Sequence, residues 1–270
     1  MKPKRINSFL LVIAFILTLL AGCKSDNQDK SLQKILDNKV LKIGISDNNA
    51  PLSSRNEKGE FIGFDVELAQ NLCKRLNVNS KFVPVSQDEA VEKLNSGLID
   101  CYWSYSAPSR EVMASAQFMD ALYNHKQMLL LKSDSPVTEL VGIKNTAVGV
   151  LRESAADEAL TAAAVLKSSL KEVKQYDDFE HVLSALNDGV LSAVVIDNLF
   201  AKNFLYKDDT AHKYKLLETP ISTQDYRIAF RQKDTTLKNR AAKILDEMVK
   251  DKSIAGLSLR WFNEDIFLKD

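Results

Sequence analysis

The sequence predicts an α/β protein built as two lobes, on three observations. Two segments about ninety positions apart, Leu94-Asn95-Ser96-Gly97-Leu98-Ile99-Asp100 and Leu186-Asn187-Asp188-Gly189-Val190-Leu191-Ser192, repeat one helix–turn–strand logic. In each, glycine follows the last apolar helical residue, the place where a left-handed C′ position favours it. Around them strand-like and helix-like stretches alternate, which argues for largely parallel sheets covered by helices.

The elements follow in order. Val40 to Ile45 is a strand, and Asn56-Glu57-Lys58-Gly59 a polar turn. Asp65 then has the chemistry of an N-cap for a helix burying Val66, Ala69, Leu72 and Leu76. Phe82 to Val85 is the next strand. A helix spaced on Ala90, Val91 and Leu94 leads through Gly97 to the buried strand Cys101-Tyr102-Trp103. In the second lobe, Thr146 to Val150 is a strand and Ala155 to Leu166 an Ala-rich helix. Val173 to Tyr176, the helix on Phe179, Val182, Leu183 and Leu186, and the strand Leu191 to Ile196 complete it. Tyr226 to Phe230 returns as a strand. Leu237, Ala241, Ile244, Leu245 and Met248 mark a long helix, and a shorter one ends at Trp261-Phe262.

The N-terminus decides the compartment. Lys2, Lys4 and Arg5 precede an apolar run, Phe9 to Leu20, broken only by Thr18, and Leu20-Ala21-Gly22-Cys23 follows. So short a run with a small-residue exit is a secretory signal rather than a spanning helix. The alternative, an uncleaved anchor, also leaves the rest outside the cytoplasmic membrane. The tetrapeptide resembles a bacterial lipobox, which implies a lipid on the Cys23 sulfur and cleavage before it. The polar stretch that follows has no periodicity, and residues 23–37 are expected as a flexible tether.

Removing residues 1–22 takes away three of the 36 Lys and Arg and none of the 36 Asp and Glu, leaving 33 against 36. That balance gives no reason to expect nucleic acid or an anionic membrane as a partner. Cys73 and Cys101 match no zinc spacing; they are either two buried free thiols or an export-compatible disulfide. His125, His181 and His212 are scattered and are expected to be surface or structural. No metal, cofactor or nucleophile motif occurs, so neither a cofactor nor catalysis is expected. In open α/β sheets ligands sit beyond the carboxyl ends of strands. Four such ends are polar here: Ser46-Asp47-Asn48-Asn49, Ser104-Tyr105-Ser106, Arg152-Glu153-Ser154 and Asp197-Asn198. The first two belong to one lobe and the last two to the other, which suits a small polar solute held between them.

At this point the chain resembles the family 3 extracellular solute-binding proteins, the polar-amino-acid receptors of ABC importers. The resemblance runs from about Val40 to Phe262 and is densest at Lys58-Gly59-Glu60-Phe61-Ile62-Gly63-Phe64-Asp65-Val66-Glu67-Leu68-Ala69, Phe82-Val83-Pro84-Val85-Ser86 and Leu94 to Asp100. Val148-Gly149-Val150-Leu151 and Arg260-Trp261-Phe262 also fit. It implies the type II periplasmic-binding-protein fold, with a discontinuous first lobe (38–125 and 221–270), a second lobe (126–220) and two hinge crossings near 123–127 and 217–226. It further implies a monomer that hands a small molecule to a membrane permease.

The family's binding residues carry over unevenly. The acidic residue that holds the ligand's α-ammonium falls on Asp197, which is equally placed to cap the helix after it. The ligand-clamping arginine falls on Val112, with Arg110 two positions earlier, either as a relocated clamp or facing solvent. The hydroxyl residue before it falls on Ala107, and the hydroxyl stretch across the cleft keeps only Ser154 of Glu153-Ser154-Ala155. Positions often aromatic fall on Asn49 and Gln87, and Tyr105 stands where a small residue is common. Asn49, Gln87, Ser104, Tyr105, Arg110, Ser154 and Asp197 are therefore the expected ligand-binding residues. The same resemblance admits two rivals: a lipoprotein adhesin or sensor subunit that has lost standard amino-acid binding, and a cyclohexadienyl dehydratase-like enzyme.

Overall fold

The computed structural model describes residues 29–106, 108–152, 154–207 and 212–268. The signal sequence, Cys23, Ala107, Glu153 and the Tyr105 side chain lie outside what is described. No helix of the described residues is long and apolar enough to cross a membrane.

A ten-stranded sheet runs through the protein with the path β10-β9-β11-β8-β13-β6-β1-β5. Its first half comprises β1 (Val40–Ile45), β5 (Asn79–Pro84), β6 (Cys101–Ser106), the short β7 (Ala116–Phe118) and the late strand β13 (Ser222–Arg231). Its second half comprises β9 (Ala147–Leu151), β10 (Glu172–Tyr176), β11 (Ala193–Asp197), the short β12 (Tyr214–Leu216) and β8 (Tyr123–Lys132). Each half has three parallel strands, with the first in sequence at the centre, and then one antiparallel strand contributed from the far side of the other lobe.

The repeat seen in the sequence extends to packing. A Cβ on Gly44 in β1 would stand 2.5 Å from Ile99 Cδ1, and one on Gly149 in β9 would stand 2.5 Å from Leu191 Cδ1. Ile99 and Leu191 occupy the same place in the two repeated segments, so each lobe packs a branched side chain onto a bare glycine of its central strand. The turn glycines Gly97 and Gly189 have φ of +75° and +73°, the left-handed conformation expected of them.

Helices cover both faces. In the first lobe these are α1 (Ser31–Asn38), α2 (Phe64–Leu76), α3 (Ala90–Asn95) and α4 (Arg110–Ser115). The second lobe has α5 (Ala155–Ala162), α6 (Ala164–Ser169), α7 (Phe179–Asn187) and α8 (Asn198–Lys207), and α9 (Thr235–Lys250) and α10 (Ser253–Phe262) return to the first. The cores are separate. Ile43, Phe64, Leu68, Ile228 and Ile244 lie in one, whereas Leu129, Leu131, Val148, Leu160 and Val195 lie in another. The fold is the two-lobed type II arrangement with a discontinuous first lobe.

Three expectations need correction. The tether is shorter than residues 23–37, because Ser31–Asn38 is helical: Leu32, Ile35 and Leu36 have helical spacing and pack on the first core. Asp65 is not an N-cap. The helix starts two residues earlier, at Phe64 with Gly63 as its cap, so Asp65 falls in the first turn and is fully buried. The Ala-rich helix breaks at Ala163. Leu160 and Leu166, six residues apart, would point to different sides of a straight helix, and the break brings both onto the second core. Cys73 and Cys101 are both buried free thiols.

β8 and β13 carry the chain between lobes. The first half of β8 pairs with β13 and its second half with β11 and β12. Likewise β13 pairs first with β8 and then with β6 and β7. Five antiparallel pairs, from Tyr123↔Tyr226 to Gln127↔Ser222, join the two strands where they cross.

Candidate functional site

The carboxyl ends of β1, β5 and β6 open onto a cavity of about 260 Å³, backed by the crossing strand β13. Every residue that lines it is neutral and polar: Ser46, Asn48, Asn49, Ser86, Gln87, Tyr102, Ser104, Ser106 and Tyr226. Of the expected residues, it brings together Asn49, Gln87 and Ser104.

Each is held by a different device. Asn49 forms β2 with Asn48 and pairs with Ser53 in the small antiparallel sheet β2–β3–β4, whose other strands are Ser53–Arg55 and Phe61–Ile62. Its side chain hydrogen-bonds Tyr226. Gln87 uses both ends of its amide on the end of β6. Its Oε1 accepts from the Ser106 backbone N–H at 2.9 Å, and its Nε2 donates to the Ser106 carbonyl at 3.1 Å. The amide therefore shapes the cavity wall as well as lining it.

Ser104 sits at a bulge. Between Tyr102↔Ala229 and Tyr105↔Arg227, β6 has one residue more than β13, and Ser104 takes φ +63°. Bulges re-aim side chains next to functional sites. This one directs the Ser104 hydroxyl to Asp65, to which it donates, while Tyr123 Oη lies 2.6 and 2.7 Å from the two Asp65 oxygens. Ser104 Oγ and Tyr123 Oη are themselves 3.1 Å apart. Burial without a neighbouring cation pushes the Asp65 carboxyl up to about 7, against the opposing pull of these hydroxyl donors.

Beyond Tyr226 lies the carboxylate of Asp197, at the end of β11. Its Oδ1 caps α8, accepting from the backbone N–H of Leu199 at 2.9 Å and of Phe200 at 2.8 Å. Its Oδ2 is 2.5 Å from His125 Nε2. His125, on β8, stacks on Tyr226 with ring centroids 4.9 Å apart. Of the two readings open for the scattered histidines, surface or structural, His125 takes the structural one: it is buried, stacked and paired with a carboxylate. The alternation of Tyr123, His125 and Gln127 on one face of a crossing strand was the available signal.

Of the remaining expected residues whose side chains are described, none lines this cavity. Arg110 is the exposed first residue of α4. Val112 is half-buried against Val85, Ala90 and their neighbours, a packing residue with nothing polar to offer. Ser154 caps α5, accepting from the Asp157 N–H and donating to the Leu151 carbonyl at 2.7 Å. Tyr226, Tyr102 and Ser86 were missed, whereas Ser46, Asn48 and Ser106 were placed at polar strand ends without being named as binding residues. Single hydroxyls and a tyrosine on a predicted strand carry no sequence motif.

Comparison with known proteins fits this geometry. The model for bacterial extracellular solute-binding proteins, family 3, matches residues 41–264. The chain belongs to that family. It is 25% identical over 237 residues to the histidine-binding periplasmic protein of Escherichia coli K12, covering 84% of this chain and 89% of that one. It is 25% identical over 256 residues to the arginine-binding extracellular protein ArtP of Bacillus subtilis, covering 94% and 96%. Among solved structures it resembles a polar amino acid ABC uptake transporter substrate binding protein from Streptococcus thermophilus, at a TM-score of 0.78 and 25% identity over 90% of this chain and 93% of that one. A substrate binding protein from Streptococcus pneumoniae with bound histidine matches at a TM-score of 0.67 and 25% identity, covering 89% and 99%. The family is extracytoplasmic and its members bind small solutes.

The buried carboxyl yields a prediction about stability. The folded protein holds the Asp65 proton more tightly than the unfolded chain does, so this residue's contribution falls as the pH rises from about 4 to about 7 and levels off above. Each pH unit in that interval is worth about 1.36 kcal/mol, for a total on the order of 4 kcal/mol. Urea unfolding at pH 5 and pH 8 should show the wild type losing stability relative to Asp65→Asn as the pH rises. Parallel behaviour of the two proteins would show that Asp65 is ionised in the folded state throughout.

Proposed function

We propose that this protein is the solute-binding lipoprotein of an ABC importer, and that it captures a small, polar, amino-acid-like molecule between its lobes. The observation that carries the reading is the pairing of a neutral, hydroxyl- and amide-lined cavity at the strand ends of one lobe with a carboxylate at a strand end of the other. An ammonium meeting Asp197 forms a charge-assisted hydrogen bond. The neutral groups around Asn49, Gln87 and Ser104 receive the rest of the ligand, and Ser154 and Tyr105 complete the cleft on closure. The relatives named above for histidine and arginine support an amino-acid ligand.

This reading gives the ligand's carboxylate no guanidinium from the family position, since Val112 stands there. Hydroxyls and backbone N–H groups at the strand ends take that role, or Arg110 swings in from the start of α4. Lobe closure about the β8–β13 crossing then presents the loaded form, a monomer, to the permease. The lobes divide at 38–125 with 221–270, and 126–220. Cys23 carries the lipid that keeps the protein at the outer face of the membrane.

Two experiments test the reading. Calorimetric titration with L-arginine, L-lysine, L-histidine and L-glutamine should find at least one tight binder, and Asp197→Ala should weaken it by about 2–5 kcal/mol with the fold intact. Unchanged affinity would remove Asp197 from the site. Separately, Cys23→Ala should release the protein from the membrane fraction and leave its precursor unprocessed; unaltered partitioning and processing would overturn the lipoprotein assignment.

A further inference from the structure

The Asp197 carboxylate has one oxygen to give. Oδ1 is committed to two backbone N–H groups at the start of α8, and removing it would leave them without their cap. Oδ2 is buried and receives no well-directed hydrogen bond, although His125 Nε2 stands 2.5 Å away. The contact is therefore an electrostatic one, held by where β8 and β11 place the two residues rather than by an aligned N–H. Any cation that a ligand brings to Asp197 must use the same oxygen.

We propose that His125 stands in for the ligand: in the free protein its imidazolium sits at the Asp197 oxygen that the ligand's cationic group takes over on binding. The inference rests on the reading of Asp197 as the partner of that cationic group. Capture is then an exchange of one cation for another at a single carboxylate, and His125 sets how strongly a ligand must bind to displace it.

The surroundings suit an exchange. Gln127 Nε2 lies 2.9 Å from the same His125 nitrogen. As an imidazolium the ring faces the Asp197 carboxylate as a charge at close range; as a neutral imidazole protonated at Nδ1 it accepts from the Gln127 amide at Nε2. The ring thus has a partner in either charge state. Lysine or arginine at this position would leave an uncompensated charge once displaced, whereas histidine also has a neutral form. The ring also stacks on Tyr226, which lines the cavity, so its seat adjoins the ligand's.

Among the described residues, the charged or titratable groups that face His125 are few. Asp197 approaches from the β11–α8 junction and Tyr226 from β13, and Tyr226 in turn feels the Asp65 carboxyl. Gln224, opposite His125 in register, is uncharged. Lys126, Asn124 and Asp225 alternate onto the other face of the crossing strands, where Asn124 hydrogen-bonds Asp225 and Arg227 pairs with Asp225.

Calorimetry at pH 6 in two buffers of different protonation enthalpy tests this, with L-arginine, L-lysine, L-histidine and L-glutamine as probes. The tightest binder should release protons from the wild type and none from His125→Gln, which should bind about tenfold more tightly. His125→Phe, which keeps a ring for the Tyr226 stack, should behave as His125→Gln does. No proton release, with affinity unchanged or weaker in both variants, would overturn the proposal. If none of the four binds the wild type, the amino-acid reading fails, and the free protein still decides about His125: its imidazole ¹⁵N spectrum at pH 6 should change in Asp197→Asn. An unchanged spectrum would overturn the pairing itself.

Discussion

Five antiparallel residue pairs between β8 and β13 are the constraint on which the rest of the molecule depends. Each strand ends in a different core, so the ladder is at once a piece of sheet and the connection between lobes. Several polar groups of the site are fixed to it within one or two contacts. Tyr123 anchors Asp65 and, through it, Ser104; Tyr226 holds Asn49 and stacks on His125; His125 meets Asp197. Asn198 Oδ1 accepts from the Lys126 N–H at 2.8 Å, which pins the start of α8 to the same strand. A change in the angle between the lobes is therefore felt at the site through side chains already in contact with the hinge.

The first lobe presents a rigid face for this purpose. A buried carboxylate with no cation beside it is costly unless it is hydrogen-bonded or neutral. Asp65 meets both conditions, between two hydroxyls and with its pKa raised to about 7. What the fold gains is a fixed Ser104. A serine with φ +63° lies in a region that non-glycine residues seldom occupy, and the hydrogen bond to Asp65 helps hold it there. The bulge, the buried acid and Tyr123 act together to set the cavity floor.

Much of the fold was legible in the sequence because it rests on periodicity. The paired glycine turns at Gly97 and Gly189, the strands β1 and β9 and the long helix α9 all follow from local patterns that the packing keeps. The failures came where a local signal had two uses. Asp65 has the chemistry of a cap, yet tertiary contacts drew its carboxylate into the core. The first half of β8 was read only as a crossing between lobes, and that half is the part that builds the site. Asn49 and Ser104 could be named from polar strand ends, and Gln87 only from the family resemblance. Tyr226 and His125 were not named, because the pairings of β8 with β11 and with β13, which join residues roughly seventy to a hundred positions apart, are what bring them to Asp197.

The central claim is that ligand is gripped from both lobes across the β8–β13 crossing. Amide hydrogen exchange tests it most directly, comparing the free protein with the protein in a saturating mixture of L-arginine, L-lysine, L-histidine and L-glutamine. Protection is predicted at the Ser46–Asn49, Ser86–Gln87 and Ser104–Ser106 strand ends of one lobe and, together with it, at Asp197–Phe200 of the other. Protection confined to a single lobe, or appearing instead in the groove of Lys39, Lys74 and Asn77 on the far side of α2, would contradict it.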